Sequence, residues 1–91
     1  MIDVEVFRVT GTPIKLQVED EATVRDVLSR PESGRTVGQE NMSLLEAARK
    51  FYGSIESLGT LRVNGSPATL DTKLAPGATI LIIPKIEGGA W

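Results

Sequence analysis

The chain of 91 residues contains no cysteine and no histidine. Without cysteine it has no disulfide, no thiolate nucleophile and no ligand for an iron–sulfur cluster. Without histidine it lacks the commonest general base and a frequent zinc ligand. Its aspartates and glutamates do not have the spacing of a metal site, and no glycine-rich loop ends in the lysine of a phosphate-binding loop. We therefore expect no catalytic residue, no metal and no bound cofactor, and no enzyme activity of the chain alone.

An excess of charge of one sign is also missing. Ten lysines and arginines face twelve aspartates and glutamates, for a net charge of −2, and the two signs are interspersed. This balance predicts no binding to nucleic acid or to an anionic membrane surface. No apolar run approaches the roughly 20 residues of a membrane-spanning helix. The first residues are neither basic nor a long apolar stretch, so we expect no signal peptide and a cytoplasmic location.

The apolar residues that are present first follow a period of two. Ile2, Val4 and Val6 alternate with residues of the opposite face, which predicts a strand over residues 2–10 with one buried face. Ile14–Val18 continues the alternation after a turn at Gly11-Thr12-Pro13. The sequence therefore opens with a hairpin, within what its length predicts to be one small domain.

A helix is predicted next, by local capping signals. Thr23 and Asp26 have the spacing of a capping box, and Val24 begins a short apolar stripe. We expect this to be the main helix, laid across the sheet and ended by Pro31 and Gly34. Over residues 31–41 the composition shifts to serine, glycine, arginine, threonine and glutamine, with little to bury, so we expect an exposed, mobile loop there.

A second, inserted helix is predicted over residues 44–52. Ser43 and Glu46 have the capping-box spacing, and Gly53 is suited to a C-cap. Its apolar stripe is core or, as the alternative, a partner-binding face. The stripe consists of Leu44, Ala48, Phe51, Ile55 and Leu58.

The last third of the chain contains the most specific pattern. Residues 61–63 form a strand that leads into Asn64-Gly65, a hairpin turn that needs two residues with positive φ. A return segment over 68–70 and a turn at Pro76-Gly77 follow. Residues 79–83 are apolar on both faces, which predicts a strand buried in the middle of a sheet with no wet face. Pro84 ends that strand because it has no amide donor.

These motifs resemble the C-terminal half of the MoaD/ThiS sulfur-carrier group. That group includes the small subunit of molybdopterin synthase, the thiamine sulfur carrier and the small archaeal protein modifiers. The matching motifs, in order and spacing, are Val63-Asn64-Gly65, Pro76-Gly77, residues 80–84 and Gly88-Gly89.

The resemblance implies an α+β, ubiquitin-like β-grasp fold. Such a fold is a mixed sheet of four or five strands with one main helix, here with a second helix inserted. The last strand would lie beside the first, in parallel, at the centre of the sheet. Residues 1–84 would form this domain, and residues 85–91 would form a flexible tail carrying the two glycines.

The resemblance also implies a chemistry for Gly88-Gly89. In this group a ubiquitin-activating-type enzyme uses ATP to adenylate the carboxylate of the terminal glycine. The carboxyl group then becomes a thiocarboxylate that gives sulfur to an acceptor enzyme, or forms an isopeptide bond with a target lysine. Both outcomes place the same demand on the carrier, so both stay open.

The group usually ends at the second glycine, whereas this chain continues with Ala90 and Trp91. One interpretation is a precursor that a protease cleaves between Gly89 and Ala90. A second is a ubiquitin-like interaction module or assembly factor that is never conjugated, with Trp91 as a binding residue. A third is that Ala90-Trp91 is a remnant without function.

In the resembling group the sheet face near the C-terminus docks on partner proteins. If exposed, Phe7, Leu61 and Ile82 would form an apolar docking patch here; the alternative is that they are core or edge positions. Arg62, with Thr69 and Lys73, is predicted to lie beside the tail. The full set of predicted partner-binding residues is Phe7, Leu61, Arg62, Ile82, Ile86 and Trp91.

Overall fold

The computed structural model of the chain describes residues 1–8, 12–37, 41–53 and 59–83. Within these residues lie five strands, two α-helices and one 3₁₀ helix. In chain order they are β1 (Ile2–Arg8), β2 (Ile14–Val18), α1 (Val24–Leu28), the 3₁₀ helix (Pro31–Val37), α2 (Leu44–Tyr52), β3 (Thr60–Val63), β4 (Ser66–Ala68) and β5 (Ala78–Ile83).

The five strands form one mixed sheet in the order β2-β1-β5-β3-β4. β1 and β5 are parallel, and every other neighbouring pair is antiparallel. The last strand therefore lies beside the first, in parallel, at the centre of the sheet, which confirms the predicted α+β architecture. A parallel pair needs a long crossover connection, and the helices are part of it.

The opening hairpin has the predicted pairing. Ile2 lies opposite Val18 and Val6 lies opposite Ile14, so the apolar residues of both strands share one face. The described part of β1 ends at Arg8, and the predicted continuation through residues 9 and 10 lies outside the described residues.

The second hairpin turns at Asn64 and Gly65, which both have positive φ, 51° and 86°. This confirms the predicted turn. The two-residue turn places Ser66 directly opposite Val63, so β4 begins at Ser66 rather than at the predicted Ala68. Asn64 also binds both backbone groups of Thr79 on β5. Its N–H donates to the carbonyl at 2.9 Å, and its Oδ1 accepts from the N–H at 3.0 Å.

The capping box of α1 is present. The Thr23 N–H donates to Asp26 Oδ2 at 2.8 Å, and the Asp26 N–H donates to Thr23 Oγ1 at 3.3 Å. The helix is only five residues long, however, and shorter than the nine residues of α2. The predicted helix is therefore present after the Thr23 cap and ends at Leu28, before Pro31, and α2 is the longer of the two helices.

The segment after α1 corrects the prediction of an exposed loop over residues 31–41. Residues 31–37 form a 3₁₀ helix against the sheet, and Ser33 and Gly34 are buried. A polar residue is buried here because its hydroxyl finds partners: Ser33 Oγ donates to the Leu28 or Arg30 carbonyl at 3.0 or 2.7 Å. It also accepts from the Leu44 N–H at 2.8 Å. Residues 38–40 lie outside the described residues.

Helix α2 has the predicted bounds. Ser43 Oγ accepts from the Glu46 N–H at 3.1 Å, and Gly53 closes the helix at φ 85° in the left-handed region. Leu44 and Ala48 are buried, so this part of the stripe is core, whereas the side chain of Phe51 and residues 54–58 lie outside the described part. In the residues described, no helix is long and apolar enough to cross a membrane.

One hydrophobic core lies between the helices and one face of the sheet. It is built from the alternate residues of β1, β2 and β5 and from the inward residues of both helices. Its buried members are Ile2, Val4, Val6, Leu16, Val18, Ala22, Val24, Val27, Leu28, Leu44, Ala48, Leu74, Ala78, Ile80 and Ile82.

Candidate functional site

The predicted conjugation and processing residues follow the last described strand. Gly88, Gly89 and Ala90 lie outside the described residues, as do the predicted partner-binding residues Ile86 and Trp91. What the structure defines is the part of the sheet from which this segment continues. The candidate site is therefore built upward from the end of β5.

The C-terminal end of the central strand β5 lies between β1 and β3, at one end of the sheet. Because β1 runs parallel to β5, Arg8 at the end of β1 lies opposite Ile82. Because β3 runs antiparallel to β5, Thr60 at the start of β3 lies opposite Ile83. We call Arg8, Thr60, Ile82 and Ile83 the tail end of the sheet. The opposite end is formed by the start of β1, where Ile2 pairs with Val18.

The two faces of the sheet differ at this end. One face carries the core, and we call the other the open face. The pairings bring Phe7, Leu81, Arg62 and Pro67 into one row across four strands of the open face. Phe7, Leu81 and Arg62 are half-buried, and Ile83 on the same face is exposed.

This geometry corrects part of the predicted docking patch. Ile82 has 0% exposure and lies in the core, so it is not available to a partner. Leu61 pairs with Ile82 and packs against the same core. The physical reason is the pleat of the sheet, which sends successive side chains to opposite faces. Only Phe7 of the three predicted apolar residues lies on the open face.

Two residues that the sequence prediction missed, Leu81 and Ile83, lie on the open face beside Phe7. Leu81 lies opposite Phe7, and Ile83 follows two positions later on the same face with 37% exposure. We call Phe7, Leu81 and Ile83 the apolar patch. A signal for it was present: once Val4 and Val6 are assigned to the core, Phe7 must point to the other face. For β5 the sequence does not show which residues face the core and which face outward, because residues 80–83 are all apolar.

Arg62 and Lys73, which were predicted to lie beside the tail, lie in different parts of the sheet, and the tail itself is outside the described residues. Arg62 lies in the open-face row, and its guanidinium donates to the Gly65 carbonyl at 3.0 Å, which holds it over its own hairpin. Lys73 pairs with Thr23 and lines a surface depression with Met1 and Ile2. It therefore lies at the opposite end of the sheet from Ile83.

Arg8 is a residue of the tail end that sequence reasoning did not select. It is half-buried, and its Nε is excluded from solvent without a hydrogen-bond partner. The ion pairs among the described residues are Met1–Asp20, Arg25–Asp71 and Arg30–Glu32, and none involves Arg8. Nothing in the sequence around Arg8 signals this state, since it depends on what packs beside the strand.

The far half of the open face is polar. A shallow depression there is lined by Asp3 and Glu5 of β1, Lys15 and Gln17 of β2, and Thr79 of β5. Gln17 Nε2 donates to Asp3 Oδ1 at 3.1 Å. In the described ranges, no three acidic residues are grouped as a metal ion would require. The open face thus changes from polar to apolar toward the tail end.

The arrangement defines the class of fold. A mixed five-stranded sheet, with the first and last strands parallel at its centre and helices packed on one face, is the ubiquitin-like β-grasp.

Comparison with solved structures gives the same fold. The chain is similar to SAMP1 from Haloferax volcanii, a small archaeal modifier of the ubiquitin-like β-grasp type. The TM-score is 0.66 at 21% sequence identity, and the superposition covers 96% of this chain and 99% of SAMP1. No protein-family model and no curated protein matches the sequence. At this identity the likeness establishes the fold.

Proposed function

We propose that the chain is a ubiquitin-like sulfur carrier or protein modifier whose reactive group is the carboxylate of Gly89. The observation that carries the proposal is the β-grasp fold shared with SAMP1 over nearly the whole chain, together with Gly88-Gly89 shortly after the central strand β5. Glycines beyond the last strand add nothing to the core and have no Cβ, so they suit a narrow active-site channel in a partner.

The proposed chemistry needs little from the chain itself. An oxygen of the Gly89 carboxylate attacks the α-phosphorus of ATP in an activating-type enzyme, pyrophosphate leaves, and an acyl-adenylate forms. Hydrosulfide then attacks the acyl carbon and AMP leaves, which gives a thiocarboxylate; alternatively a lysine amine attacks it, AMP and a proton leave, and an isopeptide bond forms. Nucleotide and nucleophile come from partners, which agrees with the absence of cysteine and histidine in the sequence. We place the reaction in the cytoplasm, where ATP is supplied.

The reaction requires Gly89 to be the last residue. Hydrolysis of the Gly89–Ala90 peptide bond by a processing protease would free the carboxylate, so we propose that Ala90-Trp91 is removed first. The partners implied are this protease, the activating enzyme, and an acceptor enzyme or target lysines. We propose the apolar patch, with Arg62 beside it, as the surface on which a partner docks, because two of its residues lie on β5, the strand that leads to Gly89.

A second function has one observation in its favour. Trp91 is the single tryptophan of the chain, and tryptophan is enriched at binding hot spots. If it is retained, the chain acts as a ubiquitin-like interaction module that is never conjugated.

The mass of the protein isolated from its native cell separates the two functions. We expect loss of Ala90 and Trp91, and a fraction about 16 Da heavier, the difference between sulfur and oxygen in the carboxyl group. Peptide adducts that join Gly89 to lysine would support conjugation instead. An intact Trp91 in every copy, with full function of a Gly89→Ala chain, would establish the interaction module.

A further inference from the structure

We infer that Arg8 is a binding site for a carboxylate, and that the carboxylate is an aspartate or glutamate side chain of the activating-type enzyme. The inference rests on the proposed function for the identity of the partner. Its physical basis is the state of the guanidinium and its place at the tail end of the sheet.

The guanidinium of Arg8 lacks partners where partners are expected. Its Nε is out of contact with solvent and has no acceptor, although buried polar groups are nearly always hydrogen-bonded. No acidic side chain of the described residues forms an ion pair with it. Because no hydrogen bond in the described part of the chain holds Nε in place, the side chain can turn outward without breaking one.

The position of Arg8 brings it close to any protein that holds Gly89. Gly89 comes six positions after Ile83, and a fully extended chain spans about 3.3–3.6 Å per residue. The end of β5 therefore lies within about 22 Å of the active site that holds the carboxylate. Arg8 lies opposite Ile82 on the neighbouring strand, so it lies at the same end of the sheet as the chain segment that leads to Gly89.

The shape of the free donors selects the ligand. Nε and one terminal nitrogen of a guanidinium lie side by side and match the two oxygens of a carboxylate, which a lysine ammonium does not. Arg62 differs from Arg8 because its Nη1 donates to the Gly65 carbonyl, which holds the guanidinium over its own hairpin. A carboxylate that pairs with Arg8 would also accept a hydrogen bond from the buried Nε, so binding removes the cost of leaving this donor unsatisfied in the free protein.

Calorimetric titration of the activating enzyme with the chain ending at Gly89 tests the inference. We expect Arg8→Ala to weaken binding roughly 10- to 100-fold, the range for a lost hydrogen bond to a charged group. Arg8→Lys should recover part of this loss, since it keeps the charge and loses the fork. Arg25→Ala is the matched control, because Arg25 forms a surface ion pair with Asp71. Arg25 also lies far from the tail end: it is two positions after Thr23, which pairs with Lys73 at the opposite end of the sheet. We expect less than about a twofold change there.

Thermal melts of each variant accompany the titrations, with Arg8→Gln as a second variant that keeps more of the side-chain volume. Folded Arg8→Ala and Arg8→Gln chains that bind as tightly as the parent would overturn the inference.

A second measurement separates this inference from the proposed function. The Nε–H signal of Arg8 in NMR spectra is followed while sodium acetate is added to the chain alone, against sodium chloride at equal ionic strength. A shift of Arg8 that saturates with acetate, and exceeds that of Arg25, supports the carboxylate site even if the enzyme fails to adenylate Gly89. That combination would count against the proposed function only. An Arg8 signal that responds to both salts alike would overturn the inference, whatever the enzyme does.

Discussion

At the scale of single residues, the hydroxyl of Ser33 joins three segments of the helical layer. It can donate to the carbonyls of Leu28 and Arg30, one at a time, and it accepts from the N–H of Leu44. Ser33 is fully buried, so a group left without its partner here cannot turn to water.

We therefore expect Ser33→Ala to lower the free energy of unfolding by about 1–3 kcal/mol, since it leaves the Leu44 N–H buried without an acceptor. Urea titrations followed by circular dichroism measure this loss. Ser29→Ala is the control: Ser29 Oγ also donates to a carbonyl, that of Arg25 at 2.7 Å, but Ser29 is exposed. Equal losses in both variants would show that burial of the hydroxyl is not the cause.

Two glycines permit a clean measurement of backbone strain. Gly65 in the hairpin turn and Gly53 at the end of α2 have φ of 86° and 85°, and a Cβ added at either would meet nothing within 4 Å. Substitution by alanine thus adds no clash, only the cost of the left-handed conformation. We expect Gly65→Ala and Gly53→Ala each to destabilise by about 1 kcal/mol. Losses of several kcal/mol in the same urea assay would contradict this account.

At the scale of elements, the side chains of strand β5 alternate between the core and the open face. Its burial alternates, with Ala78, Ile80 and Ile82 buried, Thr79 and Leu81 intermediate and Ile83 exposed. The predicted central position is confirmed, whereas the prediction that neither face is wet is wrong at Ile83.

Adjacent isoleucines provide a matched pair for this alternation. We expect Ile82→Ala to cost about 2–5 kcal/mol, the range for truncation of a fully buried side chain. Ile83→Ala makes the same chemical change on the same strand, and we expect at most about 1 kcal/mol because a third of Ile83 is already in water. The two free energies of unfolding, measured side by side, check the assignment of faces. A larger loss at Ile83 would reverse it.

The elements also show which parts of the fold the sequence can predict. The caps Thr23 and Ser43 and the turn Asn64-Gly65 were predicted correctly because each depends on residues within four positions. The 3₁₀ helix was missed because the burial of Ser33 depends on an N–H eleven positions away.

The same distinction applies to the candidate site. The glycine pair is a local pattern that can be recognised directly, whereas the face of Ile82 depends on strand register. A strand that is apolar on both faces does not reveal which of its residues face the core. The pairing in the structure was therefore needed to show that Leu81 and Ile83, not Ile82, lie on the open face.

At the scale of the whole molecule, the sequence predicts a domain over residues 1–84 and a tail over residues 85–91. If this division holds, a chain ending at Pro84 should unfold with a free energy within about 0.5 kcal/mol of the full chain. A chain ending at Leu81 is the control, because it lacks the buried Ile82 and should be strongly destabilised. A marked loss of stability on removal of residues 85–91 would mean that the tail, Trp91 included, packs on the domain, which would oppose the carrier function.

The last prediction concerns how the domain presents its tail to a partner. Ile83 belongs to the apolar patch and is exposed, so Ile83→Asp places a carboxylate on the open face at little cost to the core. If the patch docks on the activating enzyme, this charge would be buried without a partner, and kcat/KM for adenylation of a chain ending at Gly89 should fall about tenfold or more. Asn41→Asp adds the same group at an exposed position before α2, away from the open face, and should leave the rate unchanged. Equal rates for the two variants would move the docking surface off the open face, and Arg8 at the margin of the other face would then be the stronger candidate for contact.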